Sequence, residues 1–122
     1  MKELINWFEI PAEDIERAVN FYSEVLQMPL SVMDYGDEKM ACFPEGYNIS
    51  GAISQAEGFR PSKDGVTITF HAGEKMEDLL QRVSDNGGQI LKHKTKIDAE
   101  DRGYFATFLD PEGNSIGVYS EK

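Results

Sequence analysis

The chain has 122 residues, of which 40% are hydrophobic and 28% charged, and its formal net charge at pH 7 is −10. This length suits one domain with a buried core, and the composition excludes disordered, collagen-like and disulfide-rich classes. Such acidity disfavours nucleic acid and anionic membranes, because binding to either depends on Lys and Arg neutralising phosphate groups. No apolar run could span a bilayer, and the N-terminus lacks the apolar core of a signal peptide. We therefore expect a cytoplasmic protein whose single cysteine, Cys42, is a structural thiol.

In the first half of the chain, hydrophobic periodicity predicts a strand over residues 4–10 and a helix over residues 13–28. One helix face carries apolar side chains at helical spacing: Ile15, Ala18, Val19, Tyr22, Val25 and Leu26. Short strands are predicted near residues 30–35, 39–44 and 48–55. Residues 58–65, which combine Gly, Pro, Ser and charges, form the only linker-like segment.

The second half of the chain repeats this pattern. A strand is predicted over residues 66–71 and a helix over residues 74–85, whose apolar face is Met76, Leu79, Leu80 and Val83. Asn86-Gly87-Gly88 is a suitable helix stop, since Asn and Gly tolerate the left-handed cap conformation. Three further strands are predicted, at about 89–96, 103–109 and 114–120. The segment from Asp110 to Gly113 has the Pro and Gly of a hairpin turn.

The order strand-helix-strand-strand-strand therefore occurs twice, with a period of about 60 residues. We predict an α+β fold in which two tandem βαβββ modules form a curled mixed sheet, a half-barrel with a concave cleft. The expected organisation is a single domain over residues 1–122. Module one covers about 1–57, the linker about 58–65 and module two about 66–122.

Two segments of the chain resemble the signatures of a known family. The run from Phe8 to Tyr22 resembles the opening signature of the vicinal oxygen chelate superfamily, and the run from Gly103 to Gly117 resembles its closing signature. That superfamily includes glyoxalase I, extradiol dioxygenases, fosfomycin-resistance enzymes and bleomycin-resistance binding proteins. The resemblance implies the two-module fold, but it leaves the chemistry open, because the scaffold hosts several enzyme classes and pure binders.

The resemblance also implies where a metal ion would be held. Metal-using members place His, Gln or Glu ligands at four positions, which fall here on Trp7, Ala52, Thr67 (Val66 if the register slips by one) and Gly117. None of these residues offers an imidazole or a carboxylate. We therefore predict no metal site and no cofactor.

Strand alternation predicts which side chains line the cleft. Residues expected to pack beneath the helices are Phe8, Ile10, Val66, Ile68, Phe70, Ile116 and Val118. The predicted ligand-binding residues are Trp7, Glu9, Thr67, Thr69, His71 and Tyr119, with small residues at Ala52 and Gly117. The orientation of the fourth strand stays open, because Ser50, Ala52 and Ser54 alternate with Ile49, Gly51 and Ile53.

For three of these residues a structural role also stays open. Trp7, which we expect to be largely shielded from solvent, could fill the volume that a metal site would occupy. Glu9 could be a rim carboxylate in an ion pair, and His71 could be an exposed residue at a strand end.

These observations favour a metal-free small-molecule-binding protein of the glyoxalase/bleomycin-resistance type. Its nearest functional types by resemblance are acidic homodimers that sequester cationic, aromatic drugs, and we expect a homodimer and a cationic or aromatic ligand here. The alternative is a metal-dependent enzyme of the glyoxalase or dioxygenase sort whose ligands lie elsewhere, and a structural or interaction module is a third possibility. Catalytic residues and the natural ligand do not follow from the sequence.

Overall fold

The chain repeats one arrangement of helix and strands in two compact units, Met1–Pro61 and Ser62–Lys122. The computed structural model describes residues 3–99 and 102–122. The first unit contains β1 (Trp7–Pro11), α1 (Ile15–Leu26), β2 (Met33–Asp34), β3 (Glu38–Cys42) and β4 (Ser50–Ala56). The second contains β5 (Ile68–His71), α2 (Met76–Asp85), β6 (Gln89–Lys96), β7 (Tyr104–Leu109) and β8 (Ser115–Ser120). The boundary at Pro61 falls within the segment 58–65 that has linker composition.

Each unit builds one four-stranded mixed sheet, and the two sheets have the same topology. The strand orders are β1-β4-β3-β2 and β5-β8-β7-β6. In each sheet the first and last strands of the unit pair in parallel, and the remaining neighbours pair antiparallel. Neither sheet closes on itself. The predicted α+β fold of two βαβββ modules is therefore confirmed.

The helix α1 begins and ends where its sequence provides caps. The Asp14 side chain accepts a hydrogen bond from the backbone N–H of Arg17, and Gln27 ends the helix in the left-handed conformation. The predicted apolar face is buried except at Leu26, which is half-buried. Phe21, which lies outside the predicted stripe, is buried as well, with its ring edge against the Tyr22 ring.

The helix α2 is anchored by its four predicted apolar residues, Met76, Leu79, Leu80 and Val83, all of which are buried. A salt bridge of 3.1 Å joins Glu77 of this helix to Lys94 of β6. A hydrogen bond from its own backbone N–H, together with the bond from Lys94, holds the pKa of Glu77 below its ordinary value. Within residues 3–99 and 102–122, no helix is long and apolar enough to cross a membrane.

The turn between β7 and β8 is organised by one buried carboxylate. Asp110 is 3% exposed, and its Oδ1 accepts hydrogen bonds from the backbone N–H groups of Glu112, Gly113 and Asn114, each at 2.9 Å. Its Oδ2 accepts a fourth bond from the Asn114 side chain at 3.0 Å. Because these N–H groups have little access to water, the carboxylate replaces the hydration that they lose on folding. The turn predicted from Pro and Gly is thus held mainly by its aspartate.

Replacing this carboxylate should destabilise the protein. Asp110→Ala removes the carboxylate acceptor of three backbone N–H groups, of which Gly113 keeps a second acceptor in the Asp110 carbonyl, and we expect the free energy of unfolding to fall by about 2–4 kcal/mol. Asp64→Ala, at an exposed loop position, should change it by less than about 0.5 kcal/mol. Urea denaturation of both variants measures the difference, and equal midpoints would contradict the role given to Asp110.

Candidate functional site

In the first unit, one face of the sheet is covered by α1 and the other carries no helix of that unit. Ile10 and Ile53 are opposite each other in the β1–β4 register and are 1% and 0% exposed, on the side of α1. The Gln55 side chain also lies on that side, because its Oε1 accepts a 2.8 Å hydrogen bond from the first residue of α1, Ile15. We call the opposite side of this sheet, which carries Trp7, Glu9, Ala52 and Ser54, the first helix-free face.

The register settles the orientation of β4 that the sequence left open. Trp7 pairs with Ser50, Glu9 with Ala52 and Pro11 with Ser54, so all six residues share the first helix-free face. Sequence alternation could not distinguish the two faces of β4. Ser50, Ala52 and Ser54 are small, and the set that alternates with them also contains a small residue, Gly51. The pairing of β4 with β1 makes that distinction.

Trp7 and Glu9 are neighbours on the first helix-free face, since they are two residues apart on one strand. Trp7 is 44% exposed, which corrects the expectation that its ring is largely shielded from solvent. Glu9 is exposed as well, and its Oε1 accepts a 2.7 Å hydrogen bond from the hydroxyl of Ser54, which is 1% exposed. A buried hydroxyl therefore fixes the carboxylate beside an accessible indole.

Sulfur-containing residues on the same face were missed by the sequence analysis. Cys42 pairs with Ala52, which pairs with Glu9, and Met40 pairs with both Ser54 and Met33. Cys42 is exposed rather than buried in the strand, which corrects its expected role as a structural thiol. The signal that could have found it is the period of two in Met40-Ala41-Cys42-Phe43, where Ala41 and Phe43 are the buried members.

In the second unit, the corresponding face carries three of the predicted ligand-binding residues. Ile68 pairs with Ile116 and Phe70 with Val118 on the side of α2, where both residues of β8 are buried. The opposite side, which we call the second helix-free face, carries Thr69, His71, Gly117 and Tyr119.

Two residues preceding β5 differ from their predicted placement. The strand begins at Ile68, so Thr67 lies before it and is exposed. Val66, expected beneath α2, is 96% exposed, because it is outside the sheet pairing that would have directed its side chain toward the helix.

The His71 ring has both nitrogens engaged in hydrogen bonds. Nδ1 accepts from the backbone N–H of Gly73 at 3.0 Å, so the neutral ring carries its proton on Nε2. That Nε2–H donates to the Glu121 carboxylate at 3.1 Å, and the ring meets Tyr119 edge to face at 5.9 Å between centroids. His71 is exposed, and its nitrogens can bind a ligand only by giving up one of these partners.

The residues at the four expected metal-ligand positions do not fit a metal ion. Trp7, Ala52 and Thr67 provide an indole, a methyl group and a hydroxyl. At Gly117 a Cβ atom would lie 2.6 Å from the Thr69 hydroxyl oxygen, so a carboxylate side chain there would require Thr69 to move. Among the described residues, no group of three or more His, Cys, Asp or Glu side chains could hold an ion.

Sequence comparison identifies the family. The model of the Glyoxalase/Bleomycin resistance protein/Dioxygenase superfamily matches residues 4–118, and the chain belongs to this superfamily. A search of curated proteins gives no significant match.

Solved structures share the fold at low sequence identity. TnmS3, an antibiotic-binding protein from a Streptomyces species, is 20% identical with a TM-score of 0.69, and the match covers 100% of this chain and 99% of that one. A glyoxalase/bleomycin resistance protein/dioxygenase family enzyme from Burkholderia phytofirmans is 15% identical with a TM-score of 0.69, covering 96% and 98% of the two chains. A glyoxalase I mutant from Zea mays is 16% identical with a TM-score of 0.68 over 95% of this chain. The match spans only 46% of the length of that maize protein.

The unsuitable donor set predicts how the protein responds to chelators. A ligand stabilises a protein only in proportion to its binding, so removal of an ion that is not bound changes nothing. We expect the melting temperature in EDTA to match that in untreated buffer within the error of the scan. A fall of several degrees on chelation, reversed by added zinc, nickel or iron, would show that the four positions have been wrongly assigned.

Proposed function

We propose that this protein binds a small, cationic aromatic molecule without using a metal ion. The observation that carries the proposal is the exposed indole of Trp7 beside the carboxylate of Glu9 on the first helix-free face. An aromatic ring can stack on an indole, and a cation gains both from the ring face and from the adjacent negative charge.

The position of Glu9 makes it suited to this role. Its Oε1 is held by Ser54, and no further partner of its carboxylate is found among the described residues. A carboxylate that is already oriented loses little side-chain freedom when a cation binds. The net charge of −10 adds a long-range attraction for cations and repels anions.

The sulfur atoms support the aromatic part of the proposal. The first helix-free face extends from β4 across β3 and β2, where it carries Met33, Met40 and Cys42. Thioether groups make favourable contacts with aromatic rings and adapt to different ligand shapes. A flat ring system stacked on the exposed Trp7 would have the methionines on the strands beyond β4.

We also propose that the second helix-free face, by itself, offers contacts to a ligand. Its Thr69, His71 and Tyr119, with Thr67 just before the strand, provide hydroxyl, imidazole and phenol groups for hydrogen bonds. TnmS3, which shares this fold, is an antibiotic-binding protein, and this supports ligand binding by the present chain. The exposed thiol of Cys42 is in keeping with a reducing, cytoplasmic location.

Variants of Trp7 and Glu9 test the proposal. We expect proflavine, a planar aromatic cation, to quench Trp7 emission and to bind more tightly than the neutral tricycle acridone. Trp7→Ala should weaken proflavine binding about 5- to 10-fold through lost stacking, and Trp7→Phe about 2-fold. Glu9→Gln should lower the affinity for proflavine but not for acridone, because only the cation interacts with the charge. Isothermal titration calorimetry measures all three.

Matched controls accompany these variants. Tyr35 is a 63% exposed aromatic residue beyond β2, at the far edge of the same sheet from β1, so Tyr35→Ala should bind proflavine like the parent protein. Glu45→Gln removes an equally exposed charge in the loop after β3. Proflavine binding that is the same in Trp7→Ala as in Tyr35→Ala would refute the proposed site.

We also propose that the protein is a homodimer. Each sheet leaves two edge strands, β1 and β2 in one and β5 and β6 in the other, and large apolar side chains such as Leu4 and Val66 are 89% and 96% exposed. Sedimentation velocity at micromolar concentration should give twice the chain mass of 13.7 kDa. A single monomeric boundary across a tenfold concentration range would contradict the dimer.

A further inference from the structure

A cavity in the first unit lies apart from the face used in the proposed function. Its volume is about 310 Å³, and it is lined by the turn from β1 into α1, the turn between β2 and β3, the ends of β3 and β4, and residues 57–60. Lys39 and Gln55 reach it from neighbouring positions in the β3–β4 pairing. Both belong to the side of the sheet that α1 covers, opposite Trp7 and Glu9.

Two cations of the described part of the chain, residues 3–99 and 102–122, line the cavity. Lys39 is half-buried and Arg60 is exposed, and neither makes a hydrogen bond or an ion pair with another described residue. In a chain with 22 acidic and 12 basic residues, an unpaired and partly buried lysine is unexpected, because partial burial removes hydration without replacing it. An anionic group on a ligand would restore the lost interaction.

A neutral donor lies beside Lys39. Gln55 is fixed by the hydrogen bond that its Oε1 accepts from Ile15, so its amide nitrogen, with two hydrogens, remains to donate. The ammonium of Lys39, the guanidinium of Arg60 and this amide are three donors of the kind that bind a carboxylate.

Acidic and apolar groups complete the lining. Three acidic residues, Glu13, Asp37 and Glu57, line the cavity; Glu13 has an interaction of its own, and Asp37 and Glu57 pair with neither cation. Phe59, which is 37% exposed, and the methyl groups of Ala12 and Ala56 provide apolar contact. The lining thus offers separate partners for a negative, a positive and an apolar group.

From this arrangement we infer a second binding site, for a small zwitterion of amino-acid size that carries a carboxylate, an ammonium group and an apolar side chain. The carboxylate meets Lys39, Arg60 and the Gln55 amide, the ammonium meets Asp37 and Glu57, and the side chain rests on Phe59. A volume of about 310 Å³ is at the lower end for ligand pockets and leaves room for a molecule of this size.

Three aliphatic probes test the site, and none has an aromatic ring that could stack on Trp7. Leucine carries both charges, 4-methylpentanoate only the carboxylate and 3-methylbutylamine only the ammonium. We expect leucine to bind about tenfold more tightly than either single-charge analogue, since each retains one of the two charged contacts. Nuclear magnetic resonance titration should shift resonances of residues 36–39 and 55–60. A leucine concentration of about 10 mM is well above the Kd expected of a small-molecule site. If none of these resonances shifts at that concentration, the inference is overturned.

Variants separate the charged contacts. Lys39→Met keeps the aliphatic stem and should weaken leucine and 4-methylpentanoate about tenfold while leaving 3-methylbutylamine unchanged. Arg60→Gln, at an exposed position that tolerates change, should act in the same direction if Lys39→Met fails to fold. Glu57→Gln should weaken leucine and 3-methylbutylamine but leave 4-methylpentanoate unchanged.

Two comparisons decide where the probes bind. Lys63→Met removes an exposed lysine outside the cavity and should leave leucine binding unchanged. If it weakens leucine binding as much as Lys39→Met does, the effect comes from the net charge of the protein and not from a contact in the cavity. Trp7→Ala should also leave leucine binding unchanged. Loss of leucine binding in Trp7→Ala would place the zwitterion on the first helix-free face and overturn the second site. Loss of proflavine binding with leucine binding retained would support two separate sites.

Discussion

The parallel pairing of the first strand of each unit with its last strand fixes the rest of the structure. β1 and β4 are separated along the chain by a helix and two strands, and so are β5 and β8, yet each pair is joined side by side at one end of its sheet. The helix between them covers one side of the pair. Once the register is set, every side chain in the two strands is assigned either to the helix or to the opposite face.

Glycine marks this pairing in both units, but on different faces. Gly51 lies opposite Phe8 on the side of α1, where the Phe8 backbone and ring leave no room for a Cβ atom. Gly117 lies opposite Thr69 on the second helix-free face, beneath the threonine hydroxyl. The same strand pairing therefore produces two different surfaces. The helix-free face of the first unit has an indole, a fixed carboxylate and sulfur atoms, and that of the second has hydroxyls, an imidazole and a phenol.

This difference bears on the chemistry available to the protein. The superfamily to which the chain belongs takes its name from both enzymes and resistance proteins, so membership alone does not select between catalysis and binding. At the four expected ligand positions this chain has an indole, a methyl group, a hydroxyl and a hydrogen atom in place of the imidazole and carboxylate groups that usually bind metal ions. The two helix-free faces carry groups that are suited to stacking, to an interaction with a positive charge and to hydrogen bonds. The mixed charges of the cavity near Lys39 suit a smaller and more polar molecule.

The sequence by itself determined the features that depend on local periodicity and on caps. Both helices, the succession of helix and strands along each unit and the turn at Asp110 follow from spacings within about ten residues, and so does the separation of Ile10 from Trp7 and Glu9 on β1. Only the tertiary structure decided the orientation of β4, the exposure of Val66, the hydrogen bond from Ser54 to Glu9, and the meeting of Lys39 with Gln55. Each of these depends on which residue pairs with which across the sheet, or on where pairing stops. Such partners are as far apart as 45 residues in the case of Glu9 and Ser54, and no local pattern encodes a contact over that separation.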